Sequence, residues 1–106
     1  MDMQLHKQGV EVDDRLEKAL QRKVEKIERN LKPYHGDVSL LEVWLERDAQ
    51  TTQYFCAIKL DAFKANLHAR KGATQLREAV DKAFDAMMRE LDHHRAKINK
   101  SLQASS

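Results

Sequence analysis

Few side chains in this sequence are of kinds that do covalent or metal chemistry, and their spacing disperses them. Cys56 is the only cysteine, so it forms no internal disulfide and begins no paired-cysteine zinc pattern. It shares a strand phase with Tyr54, Ile58 and Leu60, where a thiol is expected to be buried and inert rather than nucleophilic. His93 and His94 are adjacent, and neighbours on a helix point about 100° apart, a poor metal pair without outside ligands. His6, His35 and His68 are scattered. The Asp and Glu pairs fall at exposed helical phases, which suits solvated carboxylates rather than a catalytic dyad. No glycine-rich phosphate loop, HExxH or nucleophile elbow occurs. The sequence therefore predicts no catalytic residue, no metal, no cofactor and no small-molecule substrate, and the expectation is that the protein is not an enzyme.

What remains is charge: 19 Lys and Arg against 17 Asp and Glu in 106 residues, a net +2. So small a sum implies no polyanionic partner, but clustering on one face creates a field that the total conceals. Placement is set by the elements. The length fits one small domain, taken as residues 1–100 with 101–106 a short flexible tail. No apolar run approaches the roughly 18 residues of a spanning helix. The Met-Asp-Met start lacks the basic and apolar regions of a signal peptide, so the cytoplasm is the expected compartment.

Gly9, Pro33, Gly36 and Gly72 punctuate segments with distinct periods. Met1–His6 alternates as a short strand. Asp13 is placed to cap a helix whose apolar positions, Leu16, Leu20, Val24, Ile27 and Leu31, have 3.6-residue spacing, and Pro33 closes it. Val38–Arg47, Gln53–Leu60 and Phe63–Ala69 read as three strands, with short turns near Asp48–Thr51 and Asp61–Ala62 that favour an antiparallel meander. Leu40 and Trp44 fall on the opposite face from Leu41, Val43 and Leu45, in a contact patch or, as favoured, in ordinary cross-strand packing. Thr74 is placed to cap a second helix with Leu76, Val80, Ala83, Phe84, Met87, Leu91 and Ile98 as its apolar set, running to about Lys100. The order β-α-β-β-β-α with one apolar stripe per helix predicts an α+β two-layer sandwich: a four-stranded mixed sheet with two parallel helices on one face.

Phasing the helices sorts their charges by sign. On the first, Arg15, Lys18, Arg22, Lys26 and Arg29 occupy roughly 160° to 240° from Leu20, with Lys23 further round, whereas Asp14, Glu17, Glu25 and Glu28 occupy roughly 60° to 140°. On the second, Lys82, Arg89, His93 and Lys100 lie at roughly 180° to 220° from Val80, with Lys97 beyond, and Glu78, Asp81, Asp85 and Asp92 at roughly 100° to 160°. Arg77 and Arg95 fall nearer the core edge. Two basic ridges result. From phase alone, a solvated exterior with charges paired within a helix or across the groove is favoured over an anion-binding face.

Taken together, these residues resemble the ribosome hibernation-promoting factor family, also called ribosome-associated inhibitor A or sigma-54 modulation proteins. The resemblance covers nearly the whole chain. It rests on Val10-Glu11-Val12 before an acid-rich helix start, Lys23-Val24-Glu25-Lys26-Ile27-Glu28, Leu67-His68-Ala69, Ala79-Val80-Asp81, and then Asp85, Arg89, Leu91 and Arg95-Ala96-Lys97 at family spacing. Gln75, Leu76, Arg77 and Glu78 stand where the family commonly has an Asp-Met-Tyr-Ala run. The chain ends soon after the second helix, as the family's short forms do.

The resemblance implies a protein that binds the small ribosomal subunit in the channel used by messenger and transfer RNA and silences idle ribosomes under stress or in stationary phase. It implies ribosomal RNA contacts from Lys23, Lys26, Arg89, Arg95 and Lys97, to which the ridges add Arg22, Arg29, Lys82 and Lys100. The expected oligomeric state is a monomer or weak dimer. A second reading is a protein-interaction module using the sheet face or an edge strand. A third is general double-stranded RNA binding, against which stands the lack of a loop with a dense lysine cluster.

Overall fold

Asp13 starts the first helix as its sequence suggests. Its Oδ1 accepts a 2.8 Å hydrogen bond from the Leu16 amide, and its carbonyl takes the first helical bond, from the Glu17 amide at 2.9 Å, satisfying donors that a helix start otherwise leaves orphaned. The computed structural model describes residues 2–31, 40–62 and 65–104, the side chains of Asp2, Arg95 and 97–104 excepted. The elements are β1 (Asp2–Gln8), α1 (Asp14–Leu31), β2 (Leu40–Asp48), β3 (Gln53–Ala62), β4 (Ala65–Ala73) and α2 (Leu76–Ala104). The closing role of Pro33, the strand residues Val38, Phe63 and Lys64, His35, and the end of the tail lie outside the described residues.

The strands form one sheet in the order β1-β2-β3-β4. β1 and β2 are parallel, as a crossover through α1 requires, and β2, β3 and β4 form an antiparallel meander. This is the α+β sandwich expected from the sequence. Leu41, Val43, Leu45, Cys56, Ile58 and Leu60 line the inner sheet face, each no more than 1% exposed. Against them pack the expected stripe of α1 and, from α2, Ala79, Val80, Ala83, Phe84, Met87 and Leu91. Each large side chain so buried contributes about 1.5–3 kcal/mol. These stripes fix the rotation of both helices and hence the direction in which every charged side chain points.

Several boundaries differ from the sequence reading. β1 continues to Gln8. β3 and β4 are longer, so β3 runs through Ala62 and β4 through Gly72 to Ala73. Gly72 does not end a strand; it sits opposite Phe55, and a Cβ there would lie 2.7 Å from the ring Cε1. Its lack of a side chain makes room for an aromatic ring. At α2 the Ala79 amide bonds the Gln75 carbonyl at 3.1 Å, which puts Gln75, rather than Thr74, at the cap position, and the helix extends past Lys100 to Ala104.

The outer sheet face is packed on itself. The His6 ring stacks on Trp44 with centroids 5.1 Å apart, His6 Nε2 lies 3.2 Å from Glu42 Oε2, and the Arg70 guanidinium sits 4.5 Å from the Phe55 centroid. Trp44 therefore belongs to cross-strand packing.

Candidate nucleic-acid interface

Strand direction decides which helical flanks meet. β1, β2 and β4 run the same way, so α1 and α2, each returning across the sheet, run parallel with their starts side by side. Accordingly, Val10, Glu11, Asp13 and Leu16 line the same cleft as Thr74, Gln75 and Leu76. In this arrangement the basic flank of α1 faces the acidic flank of α2.

That meeting is realised in a shared carboxylate. Lys23 Nζ crosses the interhelix groove to Asp81 Oδ1 at 2.9 Å, and Arg77 Nε donates to the same oxygen from one turn earlier in α2 at 3.2 Å. Partial burial pushes the Asp81 carboxyl up, but the hydrogen bonds and charges of Lys23 and Arg77 outweigh it and hold the group below the usual carboxylate range. Asp81 is 45% exposed, so the network adds only about 0.5 kcal/mol to stability. Cross-groove pairing, expected as a rival to anion binding, thus exists for Lys23.

It does not consume the basic flank. A shallow cleft beside this pair is lined by Arg15, Lys18, Ala19, Arg22, Lys23 and Arg77. Every lining residue except Ala19 is a cation, and Ala19, buried and small, leaves the cleft open. Lys26 and Arg29 are exposed and continue the flank along α1. Arg15, Lys18, Arg22, Lys26 and Arg29 make no ion pair among the described residues. On α2, Lys82 is tied to Glu78 at 3.2 Å along its own helix, and Arg89 stands exposed two turns on, on the solvent side. The backbones of Arg95, Lys97 and Lys100 continue α2, while their side chains lie outside the described residues.

Of the residues singled out in the sequence, Arg22 and Lys23 thus share the cleft, Lys26 and Arg29 extend it, and Lys82 and Arg89 stand apart on the α2 ridge. Arg15 and Lys18 belonged to the ridge by phase but precede the motif at Lys23. Arg77 looked like an exception to the charge sorting. Its phase near the core edge was the signal, because on parallel helices that edge faces the groove.

Such a cleft holds anions by charge and by forked hydrogen bonds, and a row of cations along a helix suits successive phosphates. Covalent chemistry has little to work with nearby. Burial pushes the Cys56 thiol up to about 12, against a smaller opposing effect of Lys23. Among the described residues no three His, Cys, Asp or Glu gather as a metal site, and no helix is long and apolar enough to cross a membrane.

A family model described as "Sigma 54 modulation protein / S30EA ribosomal protein" matches residues 3–99. Among solved structures, a ribosomal subunit interface protein from Coxiella burnetii superposes with a TM-score of 0.74 at 14% identity, covering 91% of this chain and 99% of that one. The N-terminal domain of Thermus thermophilus Protein Y superposes with a TM-score of 0.70 at 17% identity, covering 89% and 99%. At these identities the two structures establish the shared fold. No curated protein matches.

Proposed function

We propose that this chain, which belongs to the sigma 54 modulation protein / S30EA ribosomal protein family, is a ribosome-associated hibernation factor without enzymatic activity. It binds ribosomal RNA of the small subunit in the channel used by messenger and transfer RNA, in the cytoplasm, and silences translation by occupying that channel. The observation that carries this reading is the cleft of Arg15, Lys18, Arg22, Lys23 and Arg77, extended by Lys26 and Arg29. Cations held at helical spacing on a rigid stripe present a row of phosphate contacts, the term that dominates affinity for nucleic acid.

Mechanistically, α1 supplies the row and the sheet supplies its rigidity. Leu20 and Ile27 are buried beneath it, so the cations project from a backbone that cannot roll. Inhibition then needs no reaction, only occupancy. Arg89, together with Arg95, Lys97, Lys100 and Lys82, adds contacts from α2.

The test is sucrose-gradient co-sedimentation with ribosomes. The triple variant Lys18→Glu, Arg22→Glu, Lys26→Glu reverses exposed cations that make no ion pair among the described residues and is expected to leave the ribosomal fractions while keeping the wild-type melting temperature within a few degrees. Lys23 is left in place because a carboxylate there would oppose Asp81. Undiminished co-sedimentation of this folded triple variant would refute the proposed face.

A further inference from the structure

The buried core thins at β1. Met3 and Leu5 stand in register with Leu41 and Val43, yet the β2 pair is fully buried and the β1 pair only half-buried. Between β1 and α1 runs a groove of about 170 Å³, floored by Met3, Leu5, Val12 and Leu20, with Lys7 and Glu17 at its rim. β1 is also an edge strand. It pairs with β2 on one side, and no described residue pairs with the other, which leaves a row of backbone donors and acceptors.

The flank of α1 above this edge is the acidic one. Glu17 and Gln21 both line the groove, and by helical phase Asp14 and Glu25 lie on the same flank. These three acids are exposed and make no ion pair among the described residues. Lys7 at the rim offsets one of these acids and the flank stays net negative, so a nucleic-acid backbone would be repelled here. A second copy pairing β1 to β1 about a twofold axis would bring two acidic flanks together. The charge favours a basic polypeptide.

We propose that β1 accepts a fifth strand from a partner protein, an extended segment of about seven residues with apolar side chains at alternate positions and Lys or Arg beside the α1 flank. Main-chain hydrogen bonds to β1 supply affinity, the alternate apolar residues cover Met3 and Leu5, and the acids select a basic segment over an acidic one. This surface is on the opposite flank of α1 from the cationic cleft, so it goes beyond the RNA reading and does not depend on it.

The probes are two capped nine-residue peptides, one alternating Val with Lys and the other Val with Glu, titrated into the isotope-labelled full chain while amide exchange and shifts of residues 2–8 are followed. The Lys peptide is expected to slow exchange at alternate β1 amides at least ten-fold and the Glu peptide to leave them unchanged. Glu17→Lys, an exposed substitution, should weaken the Lys peptide at least three-fold. N-methylation along one edge of the Lys peptide should abolish protection. The proposal is overturned if the Lys peptide leaves β1 unprotected at millimolar concentration, if both peptides bind alike, or if the N-methylated peptide still binds. It is equally overturned if β1 becomes protected with rising protein concentration alone, which would make the occupant a second copy.

Discussion

Asp81 is the acid nearest the cationic cleft, and replacing it with Asn tests whether the cleft meets phosphates. The change leaves Arg15, Lys18, Arg22, Lys23 and Arg77 in place but removes the carboxylate that now accepts from two of them. Two effects on RNA binding follow. A carboxylate about 7 Å from a bound phosphate repels it by roughly 0.6 kcal/mol in water, cut to roughly 0.3 kcal/mol by screening at physiological salt. Release of Lys23 or Arg77 to a phosphate adds one ionic contact, steepening the slope of log K against log salt by about 0.7–0.9, equivalent to about three-fold in affinity between 50 and 200 mM salt. Ribosome binding by Asp81→Asn, measured by filtration or sedimentation across that salt range, should therefore be tighter at low salt and more salt-sensitive than wild type. Unchanged affinity together with an unchanged slope would show that the groove cations do not meet phosphates.

The same variant carries a stability signature of opposite sign. Losing the exposed network costs about 0.5 kcal/mol, or about 2 °C in melting temperature for a domain of this size. Because the folded-state pKa of Asp81 is depressed, its contribution is fully present above the unfolded carboxylate pKa of about 3.9 and is lost as pH falls through the lower folded value. The melting curves of wild type and Asp81→Asn should thus differ at pH 7, begin to converge as pH falls below about 4, and meet below the lower folded value. A variant that binds RNA more tightly while folding slightly less stably separates a binding effect from general stabilisation.

Three further outcomes test the architecture. Asp13→Ala removes the bond to the Leu16 amide and should cost about 0.5–2 kcal/mol in chemical denaturation. Gly72→Ala places a Cβ against the Phe55 ring and should cost about 1–3 kcal/mol, with relief when combined with Phe55→Ala, since overpacking vanishes with the ring. Cys56, with its thiol pushed up to about 12, should resist alkylation at pH 8 in the folded protein and react in denaturant, as followed by mass spectrometry.

The order of elements was legible because each stripe keeps one period over its whole length: Leu16 to Leu31 at helical spacing, Leu41 to Leu45 at strand spacing. Gly72 was misread because a glycine that breaks a strand and one that admits a neighbouring ring are identical in sequence. Phe55, the ring concerned, lies in another strand, so only the register links the two. The charge sorting on α1 was equally legible, but its meaning was not. Which flank faces the second helix depends on crossover handedness and on the parallel course of the helices, properties of the assembled sheet. Cross-groove pairing was foreseeable as a class, whereas the choice of Lys23, Asp81 and Arg77 as partners required the helix offset. Arg77 was noted near the core edge but not counted among the RNA contacts, because it breaks the sorting within its own helix.

The sorting gains its sense from that handedness. With Leu20 and Ile27 buried, α1 cannot roll, and the crossover from β1 to β2 leaves its basic flank toward α2 and its acidic flank over the β1 edge. Exchanging the two flanks would leave composition, net charge and the apolar stripe unchanged, and the helix would bury the same surface. Yet it would place acids in the interhelix cleft beside Asp81 and cations above β1, abolishing both surfaces at once. A net charge of +2 is therefore compatible with strong local fields of both signs. The variable that decides what each face attracts is the direction in which a fixed helix presents its two flanks.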